Sequence, residues 1–383
     1  MLDSIETPHA DVELGVERSS LRYLSCAPDR GIDRHTGLIA YLAGYGMDPR
    51  GGYAQRLLPY LANRHNCVAV SVDYFGANLW QKSTLAPFPD FFTRLAEHYG
   101  IEITAPNDVD IMQLLLSLAE LLRRNGITRL HDDCRLAAIS SEYNSMGFLP
   151  ALDTLQVIHY LLARMRLDKR RLFLIGTSYG GYIAELMAKL APNTFRMVVD
   201  NSGFSSATDD LDGVMGLSKV VLGGVAMTGH ALRAWSNDPT TTNFFSPARR
   251  QIRDLHHRRQ VLANTARVYA YHAPRDGEAS TEQKRRLREA YAGRVAFDLS
   301  VIDETQLDGR VFKTLDHGMH ASLRGLFDLS YEKYLADGGA LADHTDFDLA
   351  LEHVFPCSGA DYRLRYSPSA GVAATIHATA EAR

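Results

Sequence analysis

Along the chain, short apolar runs bounded by turn residues alternate with longer stretches in which apolar positions recur at helical period. The runs at 38–42, 67–74, 171–175, 195–199, 268–272 and 295–302 predict strands. The stretches at 53–63, 149–165, 179–190 and 280–291 predict helices. Strands separated by helices in this way predict a mostly parallel central sheet flanked by helices. Ahead of it, 12–16 and 21–25 read as a short antiparallel pair. No internal repeat is visible.

Two stretches, 77–146 and 206–264, are too long to be simple connections. The first carries a strong helical pattern over 108–124, and the second holds Trp235 and a basic helix. Both read as insertions forming a cap or lid on one domain that covers 1–366. The Ala-rich residues 367–383 lack clear apolar periodicity and read as a disordered tail.

Composition narrows the function class. In 383 residues, 41 Lys and Arg oppose 45 Asp and Glu, a net charge of −4, so no basic excess exists to hold a nucleic-acid backbone. Cys26, Cys67, Cys134 and Cys357 are scattered, without zinc spacing, and read as reduced thiols in a cytoplasmic protein. No metal or cofactor motif appears. Residues 1–17 lack the apolar core of a signal peptide, and the apolar stretch at 220–229 is too short to span a bilayer. Membrane insertion is not expected.

The sharpest chemical signal is Gly176-Thr177-Ser178-Tyr179-Gly180, where an apolar strand runs directly into an amphipathic helix. This is the Gly-x-Ser-x-Gly turn in the context it requires: a serine at the tip of a sharp strand-to-helix bend. Gly181 adds a third glycine. The Tyr179 amide opens the helix and is the expected first donor to an oxyanion.

A serine nucleophile needs a base and an orienting acid, which in this strand–turn–helix context follow in the order Ser, acid, His. Asp276 stands just past the strand at 268–272 and is the expected acid, ahead of Asp200 and Asp303. Of the two histidines in Leu315-Asp-His317-Gly-Met-His320, His317 is the expected base. The glycine after it gives a flexible loop, whereas His320 reads as part of the next helix. The second oxyanion donor is expected from Ala43-Gly44-Tyr45-Gly46-Met47, with the Tyr45 amide preferred over Gly46.

The serine motif resembles that of prolyl-oligopeptidase-type α/β-hydrolases. A wider resemblance, to the bacterial family called domain of unknown function 2920, rests on five stretches. They are Ile139-Ser-Ser-Glu-Tyr-Asn-Ser-Met-Gly, Val199-Asp-Asn-Ser, Phe245-Ser-Pro-Ala-Arg-Arg-Gln-Ile-Arg, Leu315-Asp-His-Gly-Met and Thr345-Asp-Phe-Asp-Leu. The resemblance implies an α/β-hydrolase fold with the Ser178, Asp276 and His317 set. Members of the family sit near flagellin-glycosylation loci, which associates them with sugar or acyl-sugar chemistry. Ala43-Gly44 departs from the His-Gly that is usual in such hydrolases.

On the substrate side, Arg249 and Arg253 share a helix face at i, i+4. They read either as a solvated basic face or as a clamp for an acidic substrate. The function expected is a serine hydrolase that cleaves a small or sugar-linked ester through an acyl-enzyme. The alternatives are an acyltransferase that passes the acyl group to a sugar hydroxyl, a peptidase, and a non-catalytic binding protein on the same scaffold. The expected partner is a small molecule, an acidic or acylated sugar among the candidates.

Overall fold

The computed structural model describes residues 2–5, 10–77, 79, 84–87, 91–101, 111–130, 135–206, 211–339 and 342–379. Within them the chain divides into two compact units, one built from 1–77, 145–209 and 245–383, the other from 78–144 and 210–244.

The larger unit is organised around eight strands: β1 (Leu2–Ile5), β2 (Leu21–Cys26), β3 (Gly37–Leu42), β4 (Cys67–Asp73), β7 (Leu172–Thr177), β8 (Met197–Asn201), β11 (Arg267–His272) and β12 (Ala296–Val301). β5 (Thr84–Pro87), β6 (Arg135–Ile139), β9 (Leu217–Leu222) and β10 (Val225–Ala231) belong to the smaller unit. The order across the sheet is β1-β2-β4-β3-β7-β8-β11-β12. β2 runs antiparallel to both neighbours, and every pair from β4 to β12 is parallel. Helices at Gly52–His65, Phe148–Arg164, Tyr179–Leu190, Thr281–Tyr291 and Leu323–Ala336 accompany the strands. Strands β3, β4 and β8 are buried along their whole length, as expected when helices cover both faces. That is why they read in sequence as unbroken apolar runs. Ile39, Tyr41, Phe173, Ile175, Val199 and Phe327 belong to the core on one side of the sheet.

The smaller unit has its own four-stranded sheet, β5 (Thr84–Pro87), β6 (Arg135–Ile139), β10 (Val225–Ala231) and β9 (Leu217–Leu222). Helices at Phe91–Tyr99 and Ile111–Arg124 belong to the same unit, and Phe91, Leu95, Leu122 and Met227 share its core. The helix expected at 108–124 is described from Ile111 onward; 108–110 lie outside the described residues, as does Cys134. The apolar stretch at 220–229 falls on the β9–β10 pair. Among the described residues no helix is long and apolar enough to cross a membrane.

Two expectations are corrected. Residues 12–16 do not form a strand, because the Asp11 carboxylate accepts the amides of Glu13, Leu14 and Val16 and folds them into a turn. β1 takes the place beside β2 instead. Residues 352–378 form a third, antiparallel sheet of β13 (Glu352–Cys357), β14 (Ala360–Ser367) and β15 (Gly371–Ala378), where a disordered tail was expected from 367; 380–383 lie outside the described residues. It is fastened to the body where Gln156 accepts the Val372 amide, Tyr366 donates to the Leu190 carbonyl and Tyr362 donates to Glu13. Alanine alternation buries little per residue, so the strand at 371–378 left a weak apolar pattern.

Candidate active site

Strand β7 delivers Ser178 into a bend with φ 54° and ψ −125°, a conformation rare for any residue with a side chain. The bend is held by its surroundings. The Ser178 amide donates to the Asn201 carbonyl at 2.8 Å, and the helix Tyr179–Leu190 begins at the next residue. A Cβ on Gly180 would collide with the carbonyls of Leu42 and Ala43, so only glycine lets the end of β3 approach so closely. A Cβ on Gly181 would strike the Asp200 carboxylate.

The loop after β11 supplies Asp276 and the loop before Leu323–Ala336 supplies His317. His317 Nδ1 lies 2.9 and 3.0 Å from the two Asp276 carboxylate oxygens, and Nε2 lies 2.8 Å from Ser178 Oγ. A carboxylate can only accept, so Nδ1 carries the proton and Nε2 is left to accept from the serine hydroxyl. The Asp276 side chain is fully buried, and His317 keeps 18% of its side chain exposed. Burial alone would raise the Asp276 pKa, but His317 and the amides of Ala279 and Glu278 outweigh it and hold the carboxyl below its usual range. Burial likewise pulls His317 down, yet Asp276, then Glu278 and Asp200, raise it above the ordinary imidazole value.

Several residues in this arrangement carried no sequence signal of their own. Asn201 Nδ2 donates to Thr177 Oγ1 and to the Gly318 carbonyl, each at 3.1 Å, and Ser202 Oγ accepts the Gly318 amide at 3.2 Å. Phe204 stacks on the His317 ring at 6.4 Å. The end of β8 and the residue after it therefore hold the serine by a backbone carbonyl and the histidine loop by two side chains. Asn201 and Ser202 lie in the Val199-Asp-Asn-Ser stretch, which was the only available pointer to them. Glu278 also approaches, with its carboxylate 3.6 Å from His317 Nε2.

The runner-up residues have other employment. Asp200 is sealed below the bend, bound to the Gly203 amide at 2.8 Å, Lys284 at 2.9 Å and His272 at 3.4 Å. Lys284 also pairs with Glu185, and all four side chains are fully buried. Burial pushes Glu185 up to about 8, against the pull of Lys284. Asp303 caps a short turn at Glu304–Gln306. His320 is exposed and lies in the turn before the next helix, with φ 41°, so it is not part of that helix. Tyr45 is 38% exposed, its ring edge-on to Tyr179 at 5.9 Å. Gly44 beside it packs against the Thr177 carbonyl and Ser178, which brings the 43–47 loop alongside the serine. Tyr179 Oη accepts the Gly147 amide at 2.7 Å.

The arginines are a correction. The helix Pro247–Arg253 belongs to the larger unit, so the smaller unit, whose second segment is 210–244, stops short of the end of the insertion expected at 206–264. Arg253 is fully buried, paired through two nitrogens with the equally buried Glu13, and donates also to the Ser145 and Arg249 carbonyls. Arg249 donates to the Glu13 carbonyl at 2.6 Å. Their shared face grips the N-terminal segment and is neither a solvated surface nor an anion clamp. Among the described residues no group of three or more His, Cys, Asp or Glu could hold a metal ion.

Sheet order, the antiparallel second strand and the tight turn after the fifth place the molecule among the α/β-hydrolases. More narrowly, the chain belongs to the family described as "Protein of unknown function (DUF2920)", whose model matches residues 5–335. The C-terminal sheet lies beyond that match. No curated protein matches the sequence. Among solved structures, the chain is similar to the esterase Est1E of Butyrivibrio proteoclasticus with ferulic acid bound. Identity there is 12%, the TM-score 0.47, and the alignment covers 86% of this chain and 98% of that one. It is also similar to esterase 2 of Thermogutta terrifontis phosphonylated by cyclosarin, at 11% identity and TM-score 0.46, covering 86% and 94%. A third is the acylaminoacyl peptidase of Pyrococcus horikoshii, at 12% identity and TM-score 0.45, covering 90% and 42%.

Proposed function

We propose that the protein is a serine hydrolase working through an acyl-enzyme, an esterase or deacylase acting on a small or sugar-linked ester. The observation that carries this reading is the unbroken chain from Ser178 Oγ to His317 Nε2 and from His317 Nδ1 to Asp276. Ser178 Oγ attacks the ester carbonyl while His317 Nε2 takes its proton. Asp276 keeps the ring in the tautomer that can do so and stabilises the imidazolium that forms. The carbonyl oxygen becomes an oxyanion, received by the Tyr179 amide at the helix start and by the Tyr45 amide in the loop beside it. Collapse expels the alcohol, protonated by Nε2, and water enters by the reverse sequence to release the acid. These steps need no cofactor.

The test is covalent labelling with a fluorophosphonate, mapped by peptide mass. Adduct on Ser178, absent from a folded Ser178→Ala protein that has also lost turnover of p-nitrophenyl acetate, is the expected result. Labelling elsewhere, or full turnover by Ser178→Ala, would overturn the assignment. Product analysis with and without an added sugar acceptor then decides whether the acyl group goes to water or to a hydroxyl.

A further inference from the structure

The loop that carries the acid also carries a second carboxylate aimed at the working end of the histidine. Asp276 Oδ1 accepts the amides of Glu278 and Ala279, each at 2.9 Å, which closes the loop into a tight turn. The backbone of Glu278 is therefore held by the same group that orients His317. Ser280 then caps the helix Thr281–Tyr291, and Thr281 Oγ1 donates to the Ala273 carbonyl. With both ends of the loop fixed, the Glu278 side chain approaches the imidazole at Nε2. Its Oε2 lies 3.6 Å from Nε2, the nitrogen that also meets Ser178 Oγ. The side chain is 67% exposed, so it stands at the solvent side of that nitrogen and is open to an incoming molecule.

In acyl transfer, Nε2–H gives its proton to the departing alcohol, so the alcohol part of the substrate must pass beside Nε2. A carboxylate at that place meets the leaving group, not the acyl group. The positive side chains expected to favour an acidic substrate are elsewhere: Arg253 is fully buried against Glu13, and Arg249 holds the Glu13 backbone. Asp276 adds negative charge at the Nδ1 edge of the same ring.

We propose that Glu278 is a specificity-determining residue that reads the leaving group, favouring esters of cationic alcohols over neutral ones and neutral over anionic ones. This rests on the serine-hydrolase reading of the same site. Two unit charges about 4 Å apart in water interact by about 1 kcal/mol, so each step in charge should alter kcat/KM by about five-fold. Exposure leaves the effect open to screening, so it should shrink as salt rises.

The experiment compares acetylcholine, its neutral isostere 3,3-dimethylbutyl acetate and the anionic 4-acetoxybutanoate, with wild-type protein and Glu278→Gln. The amide keeps shape and backbone contacts, so the fold is expected to persist. Taking ratios between substrates removes any common change in the reactivity of His317. The expected result is a wild-type order of cation, neutral, anion that collapses toward unity in Glu278→Gln and in wild type at 1 M salt. The same ratios in both proteins, or a wild-type preference for the anion, would overturn the proposal. Ser178→Ala is run on all three esters. If hydrolysis persists in it, the serine-hydrolase reading has failed, and this proposal with it. If hydrolysis stops but the ratios do not respond to Glu278→Gln, only the specificity role is lost.

Discussion

The His317–Asp276 pair and the Arg253–Glu13 pair are built from similar parts and do opposite jobs. Each sets a cationic or potentially cationic side chain against a carboxylate that is fully buried. At Arg253 the partner is sealed as well, and the guanidinium is used up on the Glu13 carboxylate and on the Ser145 and Arg249 carbonyls. At His317 the ring keeps an open edge, and only one nitrogen is committed to its acid. The other faces a serine held in a strained turn. A charge pair becomes chemically useful when one polar atom is left unspent beside a reactive group. When every polar atom is spent, the pair only fastens segments of the chain together, here 10–16, 247–253 and 360–367.

Removing one member from each pair should separate the two roles. The largest effect is expected at His317. His317→Ala should cost at least about 10³-fold in kcat on p-nitrophenyl acetate, as loss of a base acting in concert with its nucleophile does. His320→Ala should stay within about two-fold, because that side chain is exposed in the turn beyond Met319. Steady-state kinetics on the two variants checks this, and a large loss in His320→Ala with a small one in His317→Ala would reverse the assignment of the base.

Arg253→Ala should act on stability instead. It leaves Glu13 buried without its partner, at a cost of about 3–5 kcal/mol in unfolding free energy. Denaturant unfolding reads that loss, while kcat/KM of the folded protein on a neutral ester should stay within about two-fold. Replacing both partners, Glu13→Leu with Arg253→Met, should recover much of the lost stability, since no charge is then left stranded. A selective loss of activity toward anionic esters in Arg253→Ala, at unchanged stability, would return this residue to a substrate role.

The same contrast explains what could be read from the chain. The bend at Ser178 was legible because its requirements are local: an apolar strand, glycines at fixed offsets and an amphipathic helix lie within one short segment. Asp276 and His317 were legible because the fold fixes their order and each follows a strand or precedes a helix. Arg253 was misread because its partner, Glu13, lies 240 residues earlier. Periodicity reports that two arginines share a face and says nothing of what covers it. Asn201 and the Gly318 carbonyl are 117 residues apart, and that bond exists only once the sheet has brought β8 and the histidine loop together. The turn at 11–16 was missed for a different reason: a single aspartate captured amides that the apolar alternation would have given to a strand.

The smallest expected effect is a displacement along the pH axis, and it bears on the His317–Asp276 pair alone. In the proposed mechanism His317 acts as a base only when neutral, so kcat/KM should rise with pH through its pKa in the free enzyme. Burial opposes the charged ring, but Asp276, Glu278 and Asp200 outweigh it, so the limb should lie above the ordinary imidazole value of 6.5. The contribution of the pair to folding has the opposite sense. A histidine whose pKa is raised on folding stabilises fully below its unfolded value, and that contribution fades as pH climbs through the folded value. Asp276, held below the usual carboxylate range, contributes above its unfolded pKa of about 3.8 and loses that contribution in acid. Activity and this part of the stability should therefore change in opposite directions just above pH 6.5. A pH–rate profile on a neutral ester, paired with denaturant midpoints over the same range, measures both. An activity limb at or below 6.5 would mean that burial outweighs the three carboxylates at His317.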